Sequence, residues 1–168
     1  IENYLIHAET GEPMPDALVA KIKNAATFNQ GFATTEYLAS ALIDMKIHLA
    51  NPTGIDVGAF EKETLAELKM PKELPMRHRT PHFGHVFSGE GYATAYYGYM
   101  WADVLTADAY EAFAQAPGGY YDKELSVKLV KYLFAPRNSI DPNEAFRLFR
   151  GRDANVNALL RARGFPTQ

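Results

Sequence analysis

Cysteine is absent from the 168 residues, which excludes disulfides, thiolate zinc sites and a cysteine nucleophile together. That fits a reducing compartment, and the expected location is the cytoplasm. No apolar run approaches the ~18 residues that span a bilayer. No basic-then-apolar leader opens the chain, so neither membrane insertion nor export is expected. Charge of one sign is lacking too. Seventeen Lys and Arg face 20 Asp and Glu, for a net charge of −3; general nucleic-acid binding needs clustered cations to displace counterions. Six arginines do fall between Arg137 and Arg163, but Asp141, Glu144 and Asp153 share the stretch, as on a solvated helical surface. Self-contained catalytic motifs are also missing: there is no His-Glu-x-x-His, no Gly-x-Ser-x-Gly elbow and no phosphate loop. The first residue is Ile1 rather than Met, so the expectation is a processed chain or an excised piece of a longer one.

What is present is a helical pattern. The 47% hydrophobic and 22% charged content is that of a globular chain, and the length suits one unit spanning 1–168. Residues 1–8 read as the tail of a helix closed by Thr10-Gly11-Glu12-Pro13, and Asp16 to Ala26 reads as a second helix. Leu38, Leu42, Met45 and Leu49 recur at offsets of 4, 3 and 4, one apolar stripe of a helix from Ala33 to Ala50. Asn51-Pro52 ends it. Another helix runs from Ala59 to Lys69 with Phe60, Leu65 and Leu68 inward, before Pro71, Pro75 and Pro81 make 70–90 an irregular connection. Further helices are expected over 92–114, 122–134, from Asp141 onward and over 154–163. Asp141-Pro142-Asn143-Glu144 is a compact start signal: a side-chain cap, Pro at the first helical position and Glu at the third. No alternating strand pattern and no repeat occurs. The fold class is all-α.

Chemistry concentrates between Phe83 and Trp101. Phe83, Phe87, Tyr92, Tyr96, Tyr97, Tyr99 and Trp101 crowd this stretch, although aromatics make up only 12% of the chain. In a helix starting near Tyr92, the phenols of Tyr92, Tyr96 and Tyr99 stand at i, i+4 and i+7 on one face. Each brings a hydroxyl that needs a partner when buried. Two readings follow: a tyrosine-rich packing or subunit surface, or a wall of hydroxyls facing a polar ligand. Ser88-Gly89-Glu90-Gly91 lies just before. Its glycines either make a tight turn or admit a ligand and permit movement. Gly98 inside the helix costs about 1 kcal/mol relative to Ala, unless a close helix crossing requires it. His78, His82 and His85 would need one common face to bind metal, and Pro81 interrupts a helix there, so ordinary hydrogen-bonded histidines are the reading taken.

The run from His82 to Leu105, HFGHVFSGEGYATAYYGYMWADVL, resembles the C-terminal part of the thimet oligopeptidase family of zinc metallopeptidases. The ending from Phe146-Arg147-Leu148-Phe149-Arg150-Gly151-Arg152-Asp153 through Leu159-Leu160 to Arg163-Gly164 is similar to that family's ending. Phe28-Asn29-Gln30-Gly31-Phe32 and the stretch Glu36 to Met45 look most like its bacterial peptidyl-dipeptidase branch. The resemblance covers essentially the whole chain. It implies the multi-helical C-terminal part of a thimet oligopeptidase/neurolysin-like catalytic domain, lining a deep channel that admits short peptides. It also implies a Zn2+ whose ligands lie upstream, with none in this chain. The isolated chain is then expected to be inactive, its partners being short peptides and the upstream remainder of the polypeptide.

Residue by residue, the resemblance matches His85 to a histidine that contacts substrate near the scissile bond. Tyr92 and Tyr99 match tyrosines that bind substrate and stabilise the tetrahedral intermediate, and Tyr96 matches a third between them. Ser88, Gly89 and Gly91 match a loop that closes on substrate. Tyr99 and His85 are therefore the expected catalytic residues, and Tyr92, Tyr96, Ser88, Gly89 and Gly91 the expected substrate-binding ones. Two other readings remain at this point: a free-standing helical interaction module docking a partner through the aromatic strip, and a histidine-based metal or haem binder.

Overall fold

A computed structural model describes residues 4–167. Among the described residues eight α-helices follow one another: α1 Asp16–Ala25, α2 Gln30–Leu49, α3 Val57–Glu67, α4 Gly84–Phe87, α5 Gly98–Gln115, α6 Lys123–Leu129, α7 Pro142–Arg150 and α8 Val156–Ala162. Among the described residues there is no strand beyond one isolated bridge, Ile6 with Pro13. That bridge corrects the helical tail expected at the start. Backbone bonds from His7 N to Glu12 O and from Met14 N to Leu5 O, at 2.8 and 2.9 Å, fold residues 5–14 into a hairpin-like turn around Gly11 (φ 70°). Residues 1–3 of that expected tail lie outside the described residues.

Local signals set several helix starts. The Asp141 carboxylate accepts from Asn143 N and Glu144 N at 2.9 and 3.0 Å, and Pro142 takes the position where no N–H is needed. Asp56 and Asp122 cap α3 and α6 in the same way. Gly151, at φ 80°, ends α7 in the left-handed conformation that glycine adopts without cost. The helix expected over 122–134 divides: α6 passes at Val130 into a π-helical turn, Val130–Phe134. The connection over 70–90 contains a 3-10 turn, Thr80–His82, and the single turn of α4.

The buried face of α2 is not the leucine stripe. Leu38, Leu42 and Leu49 are 39%, 40% and 76% exposed, whereas Ala39, Ser40, Ala41, Ile43 and Asp44 are buried. Small residues let the neighbouring segment approach, and Ile43 with Ala39 packs on Met76, Leu65 and Met70. Toward the C-terminus, Phe146 and Phe149 of α7 and Ala158 and Leu159 of α8 are buried, with Ala112 of α5. A charged clasp holds this end together. Asp108 of α5, 0% exposed, accepts from Arg150 Nε (2.9 Å), both terminal nitrogens of Arg152 (2.6 and 2.7 Å) and Asn155 N (2.8 Å).

Candidate functional site

Phe83 and Val86 decide where His85 goes. Both are buried, at 2% and 0% exposure, so the single turn of α4 lies with that side down and leaves His85 at the surface. Phe83 also stacks on His78 at 5.2 Å between centroids and meets Tyr96 edge-on at 4.9 Å.

Three tyrosines gather round His85. Its ring centroid lies 5.0 Å from that of Tyr92, 5.7 Å from Tyr96 and 5.8 Å from Tyr99. The Tyr99 hydroxyl is 3.2 Å from His85 Nε2, a hydrogen bond in which either group donates according to the imidazole tautomer. Tyr96 and Tyr99 meet edge to face at 5.6 Å. Tyr92 and Tyr99 are 60% and 52% exposed, so these phenols border open space.

The expected helical face of three phenols is corrected. The helix begins only at Gly98; Tyr92 ends a 3-10 turn, and Tyr96 lies in the link between. Thr94 within that link has φ 61°, which no α-helix tolerates. The tyrosines therefore converge around a histidine from another element instead of along one helix. Gly98 is the first residue of α5 and not an interior one, and a Cβ there meets nothing within 4 Å, so no close crossing explains it.

Ser88, Gly89 and Gly91 form the connection to this cluster. The Ser88 hydroxyl donates back to Gly84 O at 2.5 Å, turned onto its own helix. Gly89 and Gly91 lack a left-handed φ, and a Cβ at either meets no atom within 4 Å. No tight turn demands glycine at these two positions.

Residues of α2 that the sequence pattern did not single out lie beneath the cluster. Asp44, 1% exposed, accepts from Thr94 N and Tyr96 N, both at 3.0 Å, and its Oδ1 meets His48 Nδ1 at 2.9 Å. The Tyr37 hydroxyl donates to the Tyr96 carbonyl and accepts from Met100 N at 3.3 Å, and its ring stacks on Tyr96 at 5.2 Å. Burial pushes the Tyr37 phenol up, against the lowering effect of the Met100 amide. Asp44 and His48 at i, i+4 beside Ile43 were the available signal. Arg77, bound to Glu36 at 2.9 Å, brings a cation next to Tyr96; the Glu36 carboxylate chiefly raises its pKa.

The rest of the aromatic strip faces elsewhere. Tyr97 and Trp101 line an apolar groove of ≈ 440 Å³ with Tyr37, Leu38, Met100 and Val104. Among the described residues, no group of three or more His, Asp or Glu side chains gathers to hold a metal ion.

The sequence model described as Peptidase family M3 matches residues 1–165. The chain belongs to this family. The M3 chain is 34% identical over 167 residues to the dipeptidyl carboxypeptidase of Salmonella typhimurium, covering 97% of itself and 24% of that protein. It is 37% identical over 159 residues to oligopeptidase A of the same organism, covering 92% of itself and 22% of that protein. With the probable cytosolic oligopeptidase A of Arabidopsis thaliana it shares 33% identity over 164 residues, or 94% of itself and 23% of that protein. The M3 chain thus spans about a quarter of the length of the curated relatives it matches. The expected all-α architecture of a metallopeptidase part agrees with both the helices and the family.

Proposed function

We propose that the chain is one all-helical unit of an M3 peptidase catalytic domain and forms the substrate-binding side of its cleft, acting on short peptides. The reaction we assign is release of C-terminal dipeptides, the activity named for the Salmonella dipeptidyl carboxypeptidase. The observation that carries this reading is the convergence of Tyr92, Tyr96 and Tyr99 on His85, with the Tyr99 hydroxyl 3.2 Å from His85 Nε2. Peptide hydrolysis builds negative charge on the scissile carbonyl oxygen. A neutral phenol donor such as Tyr99 stabilises that oxygen, and loss of one such donor typically costs ~10²–10³ in rate. His85 Nε2–H donates to the Tyr99 hydroxyl and so leaves the phenol's own proton for that oxygen, while Tyr92 and Tyr96 bind the substrate chain on either side. Movement at Gly89 and Gly91 closes the Ser88–Gly91 loop over the peptide.

Family M3 is zinc-dependent. The described residues do not supply a ligand set, so the metal belongs to this reading through the family alone. The isolated chain is accordingly inactive, with the remainder of the polypeptide as its partner. A cytoplasmic location is supported by the name of the Arabidopsis relative. No helix among the described residues is long and apolar enough to cross a membrane.

The test is Tyr99→Phe in the protein as encoded, assayed on a short peptide with a free C-terminus. We expect kcat to fall at least ~10-fold with little change in KM, because the lost bond forms in the transition state. A wild-type rate removes Tyr99 from the site. Chelator-sensitive hydrolysis by the purified 168-residue chain would overturn its inactivity.

A further inference from the structure

We infer that Asp44 and Tyr37 of α2 are positioning residues, a template that sets the backbone of the tyrosine segment and thereby the place of Tyr96 and Tyr99 against His85. The inference rests on the reading that His85 and Tyr99 act on substrate. Tyr96 is held from α2 on both sides of its Cα. Asp44 Oδ2 accepts its N–H at 3.0 Å, and the Tyr37 hydroxyl donates to its carbonyl. Asp44 Oδ1 accepts the amide of Thr94 at 3.0 Å, two residues earlier, where φ is 61°. A non-glycine residue in that region is disfavoured and persists only where its surroundings hold it. The Tyr37 hydroxyl then reaches forward to Met100 N at 3.3 Å, inside the first turn of α5. One face of one helix thus spans the link from its strained residue to the helix that carries Tyr99.

Nothing on the segment's own side replaces these bonds. Its internal contacts are turn bonds such as Ala95 N to Tyr92 O at 3.1 Å and Gly98 N to Ala95 O at 2.9 Å. These close the turns but do not tie the segment to α2. Asp44 is a buried carboxylate whose oxygens accept two backbone amides and meet His48 Nδ1 at 2.9 Å. An amide in its place keeps one acceptor and points an N–H₂ at a backbone N–H, leaving a donor unsatisfied. The Tyr96 ring sits 5.6 Å from Tyr99 and 5.7 Å from His85, so a shift of its backbone is passed directly to both.

The test uses the protein as encoded with histidines 13C-labelled at Cε1, comparing wild type, Asp44→Asn, Tyr37→Phe and Arg152→Ala. The His85 resonance, assigned by its loss in His85→Gln, carries the ring currents of Tyr92, Tyr96 and Tyr99. We expect it to move toward the position of an unstacked imidazole in Asp44→Asn and Tyr37→Phe. It should stay in place in Arg152→Ala, which weakens the fold through bonds to Asp108 and Asp153 and through none to α2. On a short peptide, kcat should fall about 10- to 100-fold in both α2 variants with KM within a few-fold, as expected for misplaced catalytic groups. An unmoved His85 resonance in both α2 variants overturns the inference. If Asp44→Asn does not fold, Tyr37→Phe decides alone, since it keeps the ring stack on Tyr96 and removes one hydroxyl. If wild type hydrolyses no peptide, the proposed function fails, and the resonance still decides whether α2 positions His85's neighbours.

Discussion

Asp108→Ala should cost more stability than any exposed ion pair in this chain, and the clasp shows why. The carboxylate is 0% exposed and takes four hydrogen bonds of 2.6–2.9 Å, from Arg150, Arg152 and the Asn155 amide. Removing it strands each partner differently. The Arg152 side chain is 43% exposed and rehydrates readily; that of Arg150 is 17% exposed and keeps only Gln115 Oε1 at 3.3 Å. Breaking a buried pair from one side costs about 3–5 kcal/mol, and the partial hydration of Arg152 argues for the lower end. For a domain of this size that is a fall in Tm of roughly 6–20 °C. Arg152→Ala, losing the exposed partner, should cost clearly less. The pH dependence gives a second check. Burial pushes Asp108 up, but the bonds from Arg152, Arg150 and the Asn155 amide outweigh it and hold the carboxyl below its ordinary 3.8. A carboxylate depressed in the fold contributes its full stabilisation above its unfolded value and loses it as pH falls through the folded one. Wild type and Asp108→Ala should therefore differ at pH 7 and converge in acid. Melting curves followed by far-ultraviolet circular dichroism at several pH values measure both effects. A variant melting within about 2 °C of wild type at neutral pH refutes the reasoning.

Gly89→Ala separates movement from packing: with no atom within 4 Å of the added Cβ, stability should change by less than about 0.5 kcal/mol, while kcat on a short peptide falls if the loop must move. An unchanged kcat would remove loop closure from the proposed mechanism. Gly118→Ala should behave in the opposite way. Its Cβ would stand 2.8 Å from the Asp122 Cα, forcing apart the residue that caps α6, at about 1–3 kcal/mol of strain. Denaturant unfolding reads that cost, and a neutral result would show that the turn relaxes freely.

Features written within a few consecutive residues were legible in the sequence. The start of α7 is one, because Asp141 reaches amides only two and three residues on. The start of α5 was not legible, because the conformation of Thr94 depends on a carboxylate fifty residues earlier. Nothing in the pattern Tyr-Ala-Thr-Ala-Tyr-Tyr distinguishes a helical turn from a link bent by a distant partner. The leucine stripe of α2 was read correctly as helical, but periodicity does not say which face is covered: Ile43 and Asp44 go in while Leu38 and Leu42 stay partly out. The grouping of His85 with the three tyrosines came from the family resemblance; its geometry, around a histidine and not along a helix, came from the fold.

The one-turn length of α4 has a consequence for how variation at this surface will read. A long helix aims each side chain through many neighbours, so that no single one decides. Here the imidazole of His85 sits on a helix of four residues and is aimed by Val86 within it and by Phe83, the residue that precedes it, both buried. In a saturation-mutagenesis map, positions 83 and 86 should tolerate as little as 85 does, although neither side chain carries a polar atom. Substitutions that are hydrophobic but of the wrong volume there would resemble loss of the histidine itself.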